Sequence, residues 1–196
     1  MIGHLQNNSD NYKTIIETAT FGAGCFWCIE AIYQQINGVI NITPGYAGGN
    51  LENPGYFNVS SGETGHAEVC LIQFDTSIVS FDELLEVFWI VHDPTSKDRQ
   101  GVDVGNQYRS IILYHNQKQK YSAIEYKEMI NNSGLYPSPV VTEINKFTHF
   151  FKAETYHHDY YHKHNHKPYC LYIIQPKLDK FRIVFKDKLK SIRSVN

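Results

Sequence analysis

The chain has 196 residues, 42% of them hydrophobic and 19% charged, with a formal net charge of -2. That balance suits one globular unit able to bury its own core, and it removes any electrostatic reason to expect nucleic acid or a membrane surface as a partner. No apolar run approaches the roughly 20 residues of a membrane span. The opening MIGHLQNNSDNYKT lacks the apolar stretch of a secretory signal, so the expected location is the cytoplasm, where thiols are kept reduced.

Residues 1–16 read as a weakly ordered tail and residues 17–196 as a single domain. TATFGAG (18–24) reads as a strand ending in glycines. CFWCIEAIYQQI (25–36) reads as a helix, with Ile29, Ile32, Tyr33 and Ile36 at helical spacing and Gly38 as its stop. Residues 39–49 form a strand running into a Gly/Pro turn, and residues 50–65 a long loop of turn formers. HAEVCLIQF (66–74) is a β-branched, apolar strand. Residues 80–92 form a helix opened by a Ser80–Glu83 capping box. A second long polar loop covers 93–107, followed by a strand at 108–115, a helix at 116–130 and a last strand at 138–144. A His- and Tyr-rich segment and a basic amphipathic tail, PKLDKFRIVFKDKLK, complete the chain. This order predicts an α+β fold: a ferredoxin-like two-layer sandwich built on a split βαβ, with a mixed sheet and an irregular C-terminal segment.

Four cysteines are present, and two of them stand in GCFWC at positions 25 and 28. Cys25 follows glycines and falls in the first turn of the expected helix, where unpaired N–H groups and the helix dipole favour an anion. A thiolate there is the natural nucleophile. Cys28 lies one turn on, on the same face, near enough for a disulfide. Zinc is the competing use of C-x-x-C, with His157, His158, His162, His164 and His166 as potential further ligands, but there is no second C-x-x-C. In the strand 66–74, Glu68 alternates onto the face of Cys70, Ile72 and Phe74. A carboxyl on an apolar face is desolvated and keeps its proton, which suits a general acid. The opposite register is also open, because Ala67, Val69 and Leu71 are apolar too. Tyr56, Asp103, Tyr108, His157 and Tyr160 offer further polar groups from loops. On these residues alone a general dithiol oxidoreductase and a metal-binding protein both remain open.

The motifs FGAGCFWC-E, GYAGG, NPGY, SGETGHAEV, VFW--HDPTS--RQG-D-G-QYRS and YHHDY occur in this order. With them the chain closely resembles the A-type peptide methionine sulfoxide reductases over roughly residues 18–175. The resemblance implies an oxidoreductase that reduces the S epimer of methionine sulfoxide, free or in proteins, in the repair of oxidised proteins. It implies Cys25 as nucleophile, Phe26 and Trp27 as an apolar wall for the substrate methyl, and Glu68 as proton donor to the sulfoxide oxygen. Tyr56 and Tyr108 fall on the hydrogen-bonding tyrosines, Asp103 on a residue that orders the site, and His157 and Tyr160 on the late H--Y of the family. A cysteine sulfenic acid and an intramolecular disulfide follow, with thioredoxin or a similar dithiol as reductant and no metal or organic cofactor. Many relatives carry Gly where this chain has Cys28, and many place the resolving cysteine in a C-terminal Tyr-Cys pair, here Tyr169–Cys170. Both Cys28 and Cys170 are therefore candidates for resolution, with Cys28 favoured by its closeness in the helix.

Overall fold

The computed structural model describes residues 15–191. Residues 1–14, most of the stretch expected as a tail, lie outside them, and Ile16 already belongs to a strand. In chain order the elements are β1 (Ile16–Ala23), α1 (Phe26–Tyr33), β2 (Val39–Ala47), α2 (Tyr56–Ser60), β3 (Ala67–Asp75) and α3 (Phe81–Val91). The short pair β4 (Arg99–Gln100) and β5 (Asp103–Val104) follows, then β6 (Ser110–Tyr114), α4 (Gln117–Asn132), β7 (Glu143–Lys146), β8 (Phe150–Lys152), α5 (Tyr160–His164) and α6 (Gln175–Val184).

The architecture is α+β. Six strands form one mixed sheet in the order β7-β6-β1-β3-β2-β8, in which β6–β7 is parallel and the other pairings are antiparallel. Side chains alternate across it as strand geometry requires. Phe21, Cys70, Ile72 and Ile112 join the main core beneath the helices, whereas Val69, Ile111 and Leu113 form a smaller cluster on the other face with Ala47 and Ala67. The sequence-distant helices α1, α3 and α6 pack on one another over the main face. Helix α1 is buried nearly all round, as a helix apolar on every side must be. The expected capping box opens α3: Glu83 N–H donates to Ser80 Oγ at 3.2 Å, and Ser80 N–H donates back to Glu83 Oε2 at 2.9 Å.

The structure departs from the sequence reading at several points, one of them the C-terminal segment, expected to be irregular, which holds α5 and α6. The loop 50–65 holds the one-turn helix α2, and the loop 93–107 holds the β4–β5 hairpin. The strand expected at 138–144 begins only at Glu143, because the chain before it is tied elsewhere: Val141 N–H bonds Pro94 O and the Thr142 hydroxyl bonds Ser110. Strand β8 went unread; three residues carry too little alternation to show. Among the described residues no helix is long and apolar enough to cross a membrane.

Candidate active site

The site forms where β1 hands over to α1. Gly24 has φ +91°, a conformation that favours glycine, and it turns the chain so that Cys25 becomes the N-cap of α1. Cys25 is 6% exposed, and its side chain makes no cap hydrogen bond. The free N–H of Phe26 instead donates to Glu68 Oε2 at 3.0 Å. The anion-favouring position at the start of the helix is thus occupied by a carboxyl from the adjacent strand β3.

This arrangement changes the expected charge on the nucleophile. Burial pushes the Cys25 thiol well above its ordinary range, with the neighbouring Cys28 and the charge of Glu68 adding to the effect. Cys28 moves the other way: the Cys25 thiol within hydrogen-bonding reach lowers it against burial, helped by the Lys177 ammonium, whose Nζ stands 4.0 Å from Cys28 Sγ. Of the two sulfurs, Cys28 holds negative charge more readily. Desolvation beside a carboxyl thus opposes the anion-favouring effect of the helix start on Cys25.

Glu68 lies 3% exposed on the helix-covered face, so the alternation that sets it with Cys70 and Phe74 is the register found. Burial raises its pKa to about 8, against the lowering effect of the Phe26 N–H. It therefore carries its proton at neutral pH. Cys70 is a core residue whose thiol donates to Phe26 O at 3.4 Å.

Aromatic rings wall the site. Trp27 stacks on Tyr160 at 3.6 Å and 4°, meets Tyr169 edge-on at 5.7 Å, and donates its indole N–H to His157 Nδ1 at 3.2 Å. Phe26 packs 5.0 Å from the His157 ring and 5.9 Å from Tyr46. Tyr56, at the start of α2, faces His157 at 4.7 Å. Tyr56 and Tyr108 are both pushed up, first by burial and then by the neighbouring Glu68 and Cys25. Asp103, on β5, accepts the Tyr169 hydroxyl at 2.7 Å, and Tyr169 in turn lies within hydrogen-bonding reach of Cys25 and Cys28. Of the residues named for the site, Cys25, Phe26, Trp27, Cys28, Tyr56, Glu68, Asp103, His157 and Tyr160 are joined in one cluster by these contacts, and Cys170 lies outside it.

Cys170 is fully buried in a π turn (Cys170–Ile174) directly before α6, in a segment that packs on α1. It feels the charge of Cys28. Its segment is seated against α1. The histidines of residues 157–166 disperse: His157 faces Trp27, His158 bonds Ala153 O, His162 pairs with Asp159 and His164 packs on Tyr160. Among the described residues no cluster of His, Cys, Asp and Glu is spaced to hold a metal ion.

Four supporting residues escaped the sequence reading. Glu154 accepts the Tyr46 hydroxyl and the Tyr56 N–H, each at 2.8 Å, and so couples α2 to β2. Glu30, on α1, accepts the Asp159 N–H at 2.8 Å and fixes the turn that presents Tyr160 to Trp27. Tyr169 appeared only as a neighbour of Cys170, and Lys177 only within a basic tail. Glu30 ends the motif FWC-E, whereas nothing local marks Glu154 or Lys177.

Comparison with known proteins shows the family of the chain. The model of the family described as peptide methionine sulfoxide reductase matches residues 17–189. The chain is 52% identical over 176 residues to the peptide methionine sulfoxide reductase MsrA of Saccharolobus solfataricus, covering 89% of this chain and 98% of that protein. It is 50% identical over 173 residues to the MsrA of Sulfolobus acidocaldarius, with 88% and 97% covered. Among solved structures it is similar to Mxr1 from Saccharomyces cerevisiae in reduced form, with a TM-score of 0.72, 28% identity, and 79% of this chain and 89% of that chain covered. With nearly its full length matched, the chain belongs to the peptide methionine sulfoxide reductase family, A type, and is an oxidoreductase acting on peptide methionine sulfoxide.

Proposed function

We propose that the protein reduces the S epimer of methionine sulfoxide, free and protein-bound, through Cys25, and that it serves the repair of oxidised proteins in the cytoplasm. The observation that carries this reading is the pairing of a buried, protonated Glu68 with Cys25 across the Phe26 N–H. The sulfoxide methyl lies against Phe26 and Trp27. Its oxygen is held by the Tyr56 and Tyr108 hydroxyls and by the Glu68 proton. Cys25 sulfur attacks the substrate sulfur while Glu68 protonates the oxygen, and the Cys25 thiol proton passes to Glu68 in return. Methionine departs and the oxygen remains on Cys25 as a sulfenic acid.

Cys28 then attacks the Cys25 sulfur, a disulfide forms and water leaves. Support for Cys28 over Cys170 is its place one helical turn from Cys25, whose carbonyl accepts the Cys28 N–H at 3.1 Å, whereas Cys170 comes from the segment before α6. Thioredoxin, or a similar dithiol, restores both thiols by exchange. Asp103 orders Tyr169, and His157 and Tyr160 hold Trp27 in place. The scheme uses no metal or organic cofactor. The single domain of residues 17–196 is read as a ferredoxin-like sandwich, which the order β6-β1-β3-β2 around two crossing helices supports.

Two variants test the scheme. Cys25→Ser loses turnover of S-sulfoxide substrates, and near-normal activity there would sink the proposal. After one equivalent of sulfoxide, mass spectrometry finds no intramolecular disulfide in Cys28→Ser and a disulfide in Cys170→Ser; the reverse pattern makes Cys170 the resolving thiol.

A further inference from the structure

Lys177 sits in the first turn of α6, just after Pro176, on the helix that packs across α1. A lysine so placed ordinarily extends into water. Here the half-buried side chain brings its Nζ to 4.0 Å from Cys28 Sγ. Among the described residues Lys177 forms no ion pair with a carboxylate, and the sulfur is its recorded hydrogen-bond partner. Lys180, one turn further along, turns to the Ile90 carbonyl at 3.4 Å instead.

We propose that Lys177 is a further catalytic residue: its ammonium holds Cys28 as the thiolate that closes the disulfide on Cys25. The inference rests on Cys28 being the resolving thiol. Its chemical necessity comes from the order of events. In the reduced protein, the leading support for charge on Cys28 is the Cys25 thiol itself, followed by Lys177. The first half-reaction converts that thiol into a sulfenic acid, so the S–H donor is gone from the Cys25 sulfur when Cys28 must attack it. Lys177 then remains as the cation facing a buried sulfur, with Tyr169 as the neighbouring hydroxyl. A buried thiolate without a partner is costly, and a cation at this distance offsets that cost.

The step balances without another reactant. Cys28 thiolate attacks the sulfur of the Cys25 sulfenic acid, the S–S bond forms and the S–O bond breaks. Hydroxide leaves and takes the proton of Glu68 to become water, which leaves Glu68 as the carboxylate. Cys28 sulfur is oxidised and Cys25 sulfur reduced to the disulfide level. The groups facing Cys28 are Cys25 on its own helix, Asp103 from β5, Tyr169 and Cys170 from the segment before α6, Lys177 from α6, and Glu68 and Cys70 from β3. Among them Lys177 is the cation.

The test uses reduced full-length protein with one equivalent of L-methionine S-sulfoxide, quenched over time and analysed by mass spectrometry for methionine, sulfenic acid and disulfide. Lys177→Met is expected to slow disulfide closure about tenfold relative to methionine release, the effect of about one pKa unit on the thiolate fraction. Sulfenic acid, trapped with dimedone, accumulates, and the pH profile of closure moves upward. Lys177→Arg restores most of the closure rate. Closure in Lys177→Met at the wild-type ratio to methionine release overturns the proposal, as does an equal slowing of both steps, the mark of a merely structural role. Cys28→Ser separates this from the reading beneath it: a disulfide formed there at the wild-type rate overturns Cys28 as resolving thiol, whatever Lys177→Met does.

Discussion

Glu68→Gln should make the protein less active and more stable at once. The buried carboxyl has a pKa near 8, against an ordinary 4.5. Below pH 4.5 both folded and unfolded chains carry the proton, so the site costs nothing through ionisation. Between 4.5 and about 8 only the unfolded chain has lost it, so unfolding releases a proton and stability falls as pH rises. By pH 7 this amounts to about 3 kcal/mol, taking 1.36 kcal/mol per unit. Glutamine has nearly the same shape, can still accept the Phe26 N–H, and does not ionise. Its variant should match wild type in urea unfolding at pH 4 and exceed it by roughly 2–4 kcal/mol at pH 7. It also has no proton to give, so turnover should drop about 10²–10⁴-fold, the usual contribution of a general acid. Wild-type turnover should itself decline above pH 8 as Glu68 ionises, a limb the variant lacks. A Glu68→Gln protein that turns over within about twofold of wild type, or a stability gap that does not change with pH, refutes the argument.

Two further outcomes are expected elsewhere in the site. Tyr160→Ala removes the ring stacked 3.6 Å from Trp27, and loss of a stacked pair worth about 1 kcal/mol should raise KM several-fold with a smaller change in kcat; steady-state kinetics that leave KM unchanged contradict a role for the stack in holding substrate. Gly24→Ala forces a side chain onto φ +91° and sets its Cβ 2.7 Å from Gln100 Cγ, so it should destabilise by about 1–3 kcal/mol and lower kcat by displacing Cys25. Thermal melting with parallel kinetics measures both effects, and an unaffected variant means the turn is not under the constraint described.

What could be read in the sequence was what depends on short spacing. Phe26, Trp27 and Cys28 follow Cys25 around one helical turn, the Ser80–Glu83 cap spans three residues, and Glu68 reaches the site by strand alternation alone. What could not be read was what distant segments bring. Glu154 meets Tyr56 across 98 positions, Glu30 meets Asp159 across 129, and Lys177 meets Cys28 across 149. No periodicity encodes such meetings; they follow from which helices share the face of the sheet.

The charge on Cys25 shows how the two kinds of information combine. A helix start stabilises an anion, and the sequence places a cysteine there. The fold then sets Glu68 against the same N–H and buries the pair. Two anions cannot share that small dry volume, so the carboxyl keeps its proton and the Cys25 thiol rises. A neutral acid and a neutral thiol are what a sulfoxide reduction can use, because the oxygen needs a proton as the sulfur is attacked. A thiolate held permanently at Cys25 would be the better isolated nucleophile, but its charge would drive Glu68 further from ionising and weaken it as an acid. Cys28, one turn away and facing Lys177, takes the charge that Cys25 does not hold.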